Sequence, residues 1–260
     1  MSARTFTLLD RVPRGKQARA TRAKVQELVS LVAEALDVFE VSSDISEVVE
    51  GKYICIKVML EGEDTIPAMN FLNVKFGVGK EMGAINPGDE IHRARIVAPG
   101  GVGFGVFFDI GMGAGKHALY PLHRMREQLA GGKTIPARPL IKTFGFCEQF
   151  SLPVVVTKTG GGKVEIEMSP RVVEEFTAWR MDGLDRVFCH GEHARVLERA
   201  LKEKLDVRHH TIAQETGFLD AIITVDKRTD GPGIMSLLGP HFSHVKMAVF
   251  NAGRARALLS

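Results

Sequence analysis

Apolar residues recur along the chain with two periods, about two and about 3.6, and the switches between them divide it into three blocks. In the first block, residues 5–10 predict a short strand. From 17 to 36, Val25, Leu28, Val29, Val32 and Leu36 follow helical spacing, so one face packs and the other is charged. Residues 38–41 and 53–59 predict strands, with polar residues 44–51 expected as the turn between them. Asp64, Thr65 and Pro67 read as a helix entry leading to Met69, Phe71, Leu72 and Val74. The order βαββα predicts a two-layer α+β module over residues 1–82, with helices on one face of a small antiparallel sheet.

The middle block, 83–168, changes character. Asn86-Pro87-Gly88 signals a turn. Strands follow at 90–98, 103–110 and 116–120, separated by glycine-rich turns, then a short helix at 122–129 stopped by Gly131-Gly132. After an insertion at about 131–151, residues 152–158 and 163–168 predict a hairpin around Gly160, Gly161 and Gly162. Five short strands with a helix between the third and fourth predict a central OB-type β-barrel. The third block, 169–260, opens on Ser169-Pro170, an N-cap followed by proline at the first helical position. That helix ends near Gly183. Strand 185–189, helix 192–205, strands 207–213 and 219–226, a short helix at 233–238 and strand 245–250 then predict a ferredoxin-like βαββαβ module.

The middle block resembles the RNA-binding domain of the ribosomal-protein S-one type. The matching segments are Pro87-Gly88-Asp89, the run from Gly103 through Phe104, Phe107 and Phe108 to Ile110, Ala118-Leu119-Tyr120-Pro121-Leu122, and the stretch from Gly162 to Ser169. That family often carries a histidine in its third strand that helps bind RNA, where this chain has Pro121. The whole chain also resembles an archaeal family known only as domain of unknown function 2110. That likeness rests on Asp109-Ile110-Gly111, the stretch from Ala118 to Leu129, Phe144-Gly145-Phe146 and the run from Asp230 to Ile234. It implies an archaeal cytoplasmic protein and supplies no activity.

Composition narrows the classes. The 260 residues are 45% hydrophobic and 25% charged, which excludes a disordered chain. Three cysteines without a CxxC spacing point to a reducing cytoplasm, and the absence of a long apolar run predicts no membrane association. The net charge of +3 conceals segregation. Through residue 24, Arg4, Arg11, Arg14, Lys16, Arg19, Arg22 and Lys24 face Asp10 alone. Residues 25–66 hold ten acids against Lys52 and Lys57, and residues 116–142 are basic again. Such blocks suit a polyanionic partner.

If the barrel binds RNA, bases stack on aromatics and cations hold phosphates across the outer face of its second and third strands. Alternation sets Ala94 and Ile96 inward and Arg93 and Arg95 outward. It also sets Phe107 with Asp109 on the outer face, which Phe104 reaches only through a bulge at Gly103 or Gly105. Lys116, Arg124 and Arg126 complete the candidate RNA-binding set. The glycine runs are not nucleotide loops: Gly101–Gly105 leads into a strand, and Gly115-Lys116 lacks the preceding glycine of a phosphate loop. The start of the short helix after Asp230 could hold an anion. Cys189, His190, His193, His209, His210, His241 and His244 gather in the third block without the spacing of a zinc site. No catalytic set, cofactor or metal site stands out. The expectation is therefore a non-enzymatic RNA- or ribonucleoprotein-binding protein of translation or transcription. A protein-interaction adaptor using the acidic 25–66 face is the alternative, followed by a metal-dependent enzyme using the third-block histidines.

Overall fold

The computed structural model describes residues 3–15, 18–80, 82–113, 115–204 and 212–259. Its first block forms strand β1 (Arg4–Pro13), helix α1 (Ala18–Leu36), strands β2 (Val41–Glu50) and β3 (Tyr53–Gly62), and helix α2 (Thr65–Phe76). The strands order as β1-β3-β2, all antiparallel. Val25, Leu28 and Val32 of α1 and Ala68 and Leu72 of α2 pack with Ile56, Val58 and Leu60 of β3 on one sheet face. Residues 44–50 are not the expected turn. They continue β2, which pairs with β3 from Val41 opposite Gly62 to Glu50 opposite Tyr53. Most of β2 is exposed, with only Val41 and Ile45 partly buried against the core, and an edge strand buried so little has little need of the alternation that would betray it. β1 also runs past its expected end. Its register slips between Thr7 and Arg11, and the bulged stretch pairs instead with the segment after α2, where Leu9 N–H donates to Gly77 and Gly79 N–H to Thr7.

The middle block forms β4 (Glu90–Val97), β5 (Gly105–Asp109), β6 (Ala118–Pro121), α3 (Leu122–Ala130), α4 (Ala137–Thr143), β7 (Ser151–Gly160) and β8 (Lys163–Met168). The strands close into a barrel in the order β4-β5-β6-β8-β7, with β6 and β8 parallel. Ile96, Val106, Phe108, Val154 and Ile166 belong to one buried core with Tyr120. The insertion is structured. α4 and the loop after it send Leu140, Phe144, Phe146 and Phe150 into this core.

The third block begins with α5 (Pro170–Asp182) and continues through β9 (Arg186–His190), α6 (Ala194–Lys204), β10 (Ile212–Gly217), β11 (Asp220–Thr224), α7 (Gly231–Leu238), β12 (Lys246–Phe250) and α8 (Ala252–Ala257). Its sheet is antiparallel in the order β10-β11-β9-β12. The outer ends expected at Gln17 and Leu205, the expected start of a strand at 207 and the pair His209-His210 lie outside the described residues. One face of this sheet packs with Leu197 and Leu201 of α6 and Ile234 and Leu238 of α7. The other contributes Phe188, Ile222 and Phe250 to the barrel's own core. Aromatic rings fill that seam: Phe150 meets Phe188 at 4.9 Å between centroids, and Trp179 meets Phe250 at 5.5 Å.

Candidate nucleic-acid interface

On the outer face of β5, Phe107 stands half-buried between its cross-strand partners Val97 and Leu119. Phe104 precedes the strand and is 56% exposed. The two rings meet edge to face, with centroids 6.0 Å apart and planes at 87°. Local chemistry sets this pair. A side chain at Gly105 would strike the Tyr120 carbonyl, so only glycine lets β5 and β6 close together there. The Phe104 carbonyl accepts from Leu122 N–H at 2.8 Å at the start of α3, which fixes the backbone and leaves the ring outside. Strict alternation would have sent Phe104 inward; the strand begins only at Gly105, two residues later than expected, which releases it.

The expected cations are placed differently. Arg93 and Arg95 do point outward from β4, but outward here is the junction of the three blocks, so neither serves an open RNA-binding face. Arg95 has no exposed surface. Its Nε donates to the Leu9 carbonyl and one terminal nitrogen to the Gln149 carbonyl, both at 2.7 Å, and it pairs with Asp10 and Asp220. Arg93 donates to the carbonyls of Thr216 in β10 and Lys75 in α2. Arg124 holds Glu127 at 2.7 Å and Glu167 at 2.6 Å, and Arg126 donates to the Ile135 carbonyl at 2.8 Å. Lys116 is exposed, with no ion pair among the described residues. Of the seven candidates, Phe104, Phe107 and Lys116 remain available at the surface.

Sequence reasoning missed the junction itself. Asp220 is buried and accepts from the Ser151 hydroxyl at 2.6 Å and from His190 Nδ1 at 2.7 Å. Burial alone would raise the Asp220 pKa, but the charge of Arg95 with the His190 and Ser151 bonds carries it below the ordinary carboxylate value. Burial lowers the His190 pKa, keeping the imidazole neutral, and its Nε2 has no partner among the described residues. Asp10 differs: burial lifts its carboxyl to about 6 despite Arg95. These residue types suggest a nucleophile triad, but the geometry does not make one. Serine and histidine bond the same carboxylate rather than each other, and all three residues are sealed from solvent. The signal available in the sequence was an acid set in an apolar strand, Asp220 before Ala221-Ile222-Ile223.

Of the remaining third-block histidines, His193 and His244 are also engaged. His193 faces Glu27 at 3.1 Å and Glu215 at 3.0 Å, while His244 meets Glu192 at 3.2 Å. His244 therefore approaches the end of β9 without touching His190. Burial pushes the Cys55 and Cys189 thiols up to about 12 and the Cys147 thiol well above its usual value, so none is a ready thiolate. At the start of α7, Asp230 accepts from Gly233 N–H at 2.7 Å and Asp185 from Gly231 N–H at 3.1 Å. The protein's own carboxylates fill the place suggested for an anion. Comparison with protein-family models, characterised proteins and solved structures finds no match to this chain.

Proposed function

We propose that this chain is a non-enzymatic RNA-binding protein of the archaeal cytoplasmic translation or transcription machinery, which grips single-stranded RNA across the outer face of the barrel. The observation that carries this reading is the edge-to-face pair on the barrel's outer face, exposed Phe104 against half-buried Phe107. Exposed aromatic rings are what unpaired bases stack on, whatever their sequence. The strand order and the parallel β6–β8 pairing support an OB-type barrel of the S-one kind, whose second and third strands, here β5 and β6, form the oligonucleotide face. The order β10-β11-β9-β12 likewise supports a ferredoxin-like third module.

The engaged arginines change the expected energetics. Stacking carries most of the affinity, and few counterions are released. Each phosphate contact on a single strand contributes a slope of about −0.7 to log affinity against log salt, so this protein should show a shallow dependence. Fluorescence anisotropy with a labelled single-stranded RNA tests the proposal. Phe107→Ala should weaken binding by about tenfold, the loss of roughly one stacked base, with circular dichroism unchanged. Undiminished binding by Phe107→Ala, or none by the wild type, would sink it.

One observation favours the adaptor reading. Ile66, Phe71 and Val74 lie exposed on α2, and Val38 lies exposed just beyond α1, beside the acids Asp37 and Glu40. An adaptor would keep a protein partner through nuclease treatment, and the RNA-binding protein would not.

A further inference from the structure

A crevice of about 640 Å³ opens where the first sheet meets the barrel, within the range of roughly 300–1,000 Å³ that holds small ligands. Glu50 and Tyr53 border it from the first sheet, His117 and Val97 from the barrel. One wall is built by Arg11. Its guanidinium lies 4.5 Å over the Tyr53 ring, and its terminal nitrogens donate to Asp109 at 2.8 Å and Gln149 at 2.6 Å. The other Asp109 oxygen accepts from Gly111 N–H. The wall is therefore rigid, and its charges are mutually balanced.

Two buried nitrogens of its lining residues lack partners among the described residues: Nε of Arg11, a residue only 8% exposed, and Nδ1 of His117. Glu50 is exposed and, among the described residues, receives only the Cys55 thiol at 3.6 Å. At the mouth, a side chain built at Gly51, Gly113 or Gly115 would meet nothing within 4 Å. A phosphate is a poor fit, because Arg11 is already neutralised and Glu50 would repel it. A flat, uncharged ring with donors and acceptors on its edge matches the Tyr53 surface, the Glu50 acceptor and the unpaired nitrogens. Position matters as well: Val97 is the cross-strand partner of Phe107, and Asp109 follows Phe107 on the same face of β5. The crevice continues the aromatic face.

The geometry points to this crevice as a pocket for an unstacked nucleobase, belonging to the nucleotide next to those on Phe104 and Phe107. The inference rests on the RNA-binding reading, and the same chemistry could arrive as a free nucleoside. Two tyrosines in the chain make the test direct. Tyr53 borders the crevice and Tyr120 is fully buried in the barrel, so 3-fluorotyrosine labelling of the full chain gives one reporter line and one reference. The four nucleosides and a short single-stranded RNA are titrated separately, with RNA binding followed in parallel by anisotropy. RNA should shift the Tyr53 line and leave that of Tyr120 in place. Glu50→Trp, on the exposed hairpin end, should fill the mouth, abolish the shift and weaken RNA binding about tenfold. Glu50→Gln, which keeps the shape and loses the charge, should weaken it roughly threefold. RNA that binds while the Tyr53 line stays still, or binds Glu50→Trp as tightly as wild type, overturns this pocket and leaves the RNA reading standing. Nucleosides that shift Tyr53 in a protein that binds no RNA uphold the pocket and remove that reading. Silence from both probes removes both.

Discussion

Asp10 is the lone acid among the first 24 residues, and the fold seals it where the three blocks meet. Its folded value of about 6 lies above the ordinary 3.8. The native chain therefore holds that proton more readily than the unfolded chain, and the Asp10 contribution to stability falls as pH rises through this window. Above about 6 the cost is complete. Asp220 has the opposite sign: its folded value is lowered, so its contribution is present above about 4 and is lost only below that. His190, lowered by burial, loses stability on acidification in wild type and variant alike. We expect Asp10→Asn to remove the gain that Asp10 supplies between pH 7 and pH 5. Urea midpoints at the two pH values measure it, and identical pH responses in the two proteins would refute the assignment. Alternation along β4 correctly told which way Arg93 and Arg95 leave the barrel. It could not tell that Asp10 and Asp220, from strands far apart in sequence, wait on that side.

At the scale of elements, legibility followed local chemistry. The strands of the barrel could be read because glycine turns bracket them and their apolar period is two; β2 could not, since a polar edge strand that only partly buries Val41 and Ile45 leaves too sparse a pattern. The 131–151 insertion was opaque for another reason. Phe144, Phe146 and Phe150 have no periodicity of their own, and each is buried by partners the local sequence does not contain. Phe144 bridges to Phe250 of β12, and Asn251 N–H donates to the Thr143 carbonyl at 2.9 Å. Gly145 permits that approach: its φ is +64°, and a Cβ there would sit 2.5 Å from the Phe250 nitrogen. Gly145→Ala should therefore cost roughly 2–4 kcal/mol, combining left-handed strain with an unavoidable clash. Gly113→Ala has comparable strain, with φ +98° but open space around it, and should cost about 1 kcal/mol. Denaturant titration of both variants separates the effects, and equal losses would show that the docking of α4 on β12 is not what Gly145 serves.

Across the whole molecule, part of the charge segregation that looked like a surface for polyanions is used to tie the blocks together. Lys24 of α1 holds Glu192 at 2.9 Å, Arg195 reaches Glu27 at 3.2 Å, and Arg22 meets Glu47 at 2.8 Å. Glu192 shows the strength of this network. Burial would raise its pKa, yet its bonds to His244 and Lys24 hold it at about 2. Arg95 is the central tie, joining Asp10 of the first block, the Gln149 carbonyl of the second and Asp220 of the third. Replacing it with methionine would leave two buried carboxylates without their cation, a loss of about 3–5 kcal/mol. The consequence depends on which block can leave. The second and third share one aromatic core, whereas the first packs on Phe218 and Leu219 and is held to the junction by Asp10 and Arg11. In the wild type, the fluorotyrosine line of Tyr53 and the fluorescence of Trp179 in α5 should therefore lose their native signals at the same urea concentration. In Arg95→Met the Tyr53 transition should come first, with Trp179 following near its original midpoint. Coincident and unchanged midpoints in that variant would mean that the buried cation does not couple the blocks. A separated first transition would instead place Arg95 as the tie that keeps the first sheet against the barrel, and so keeps the crevice in line with the Phe104–Phe107 face.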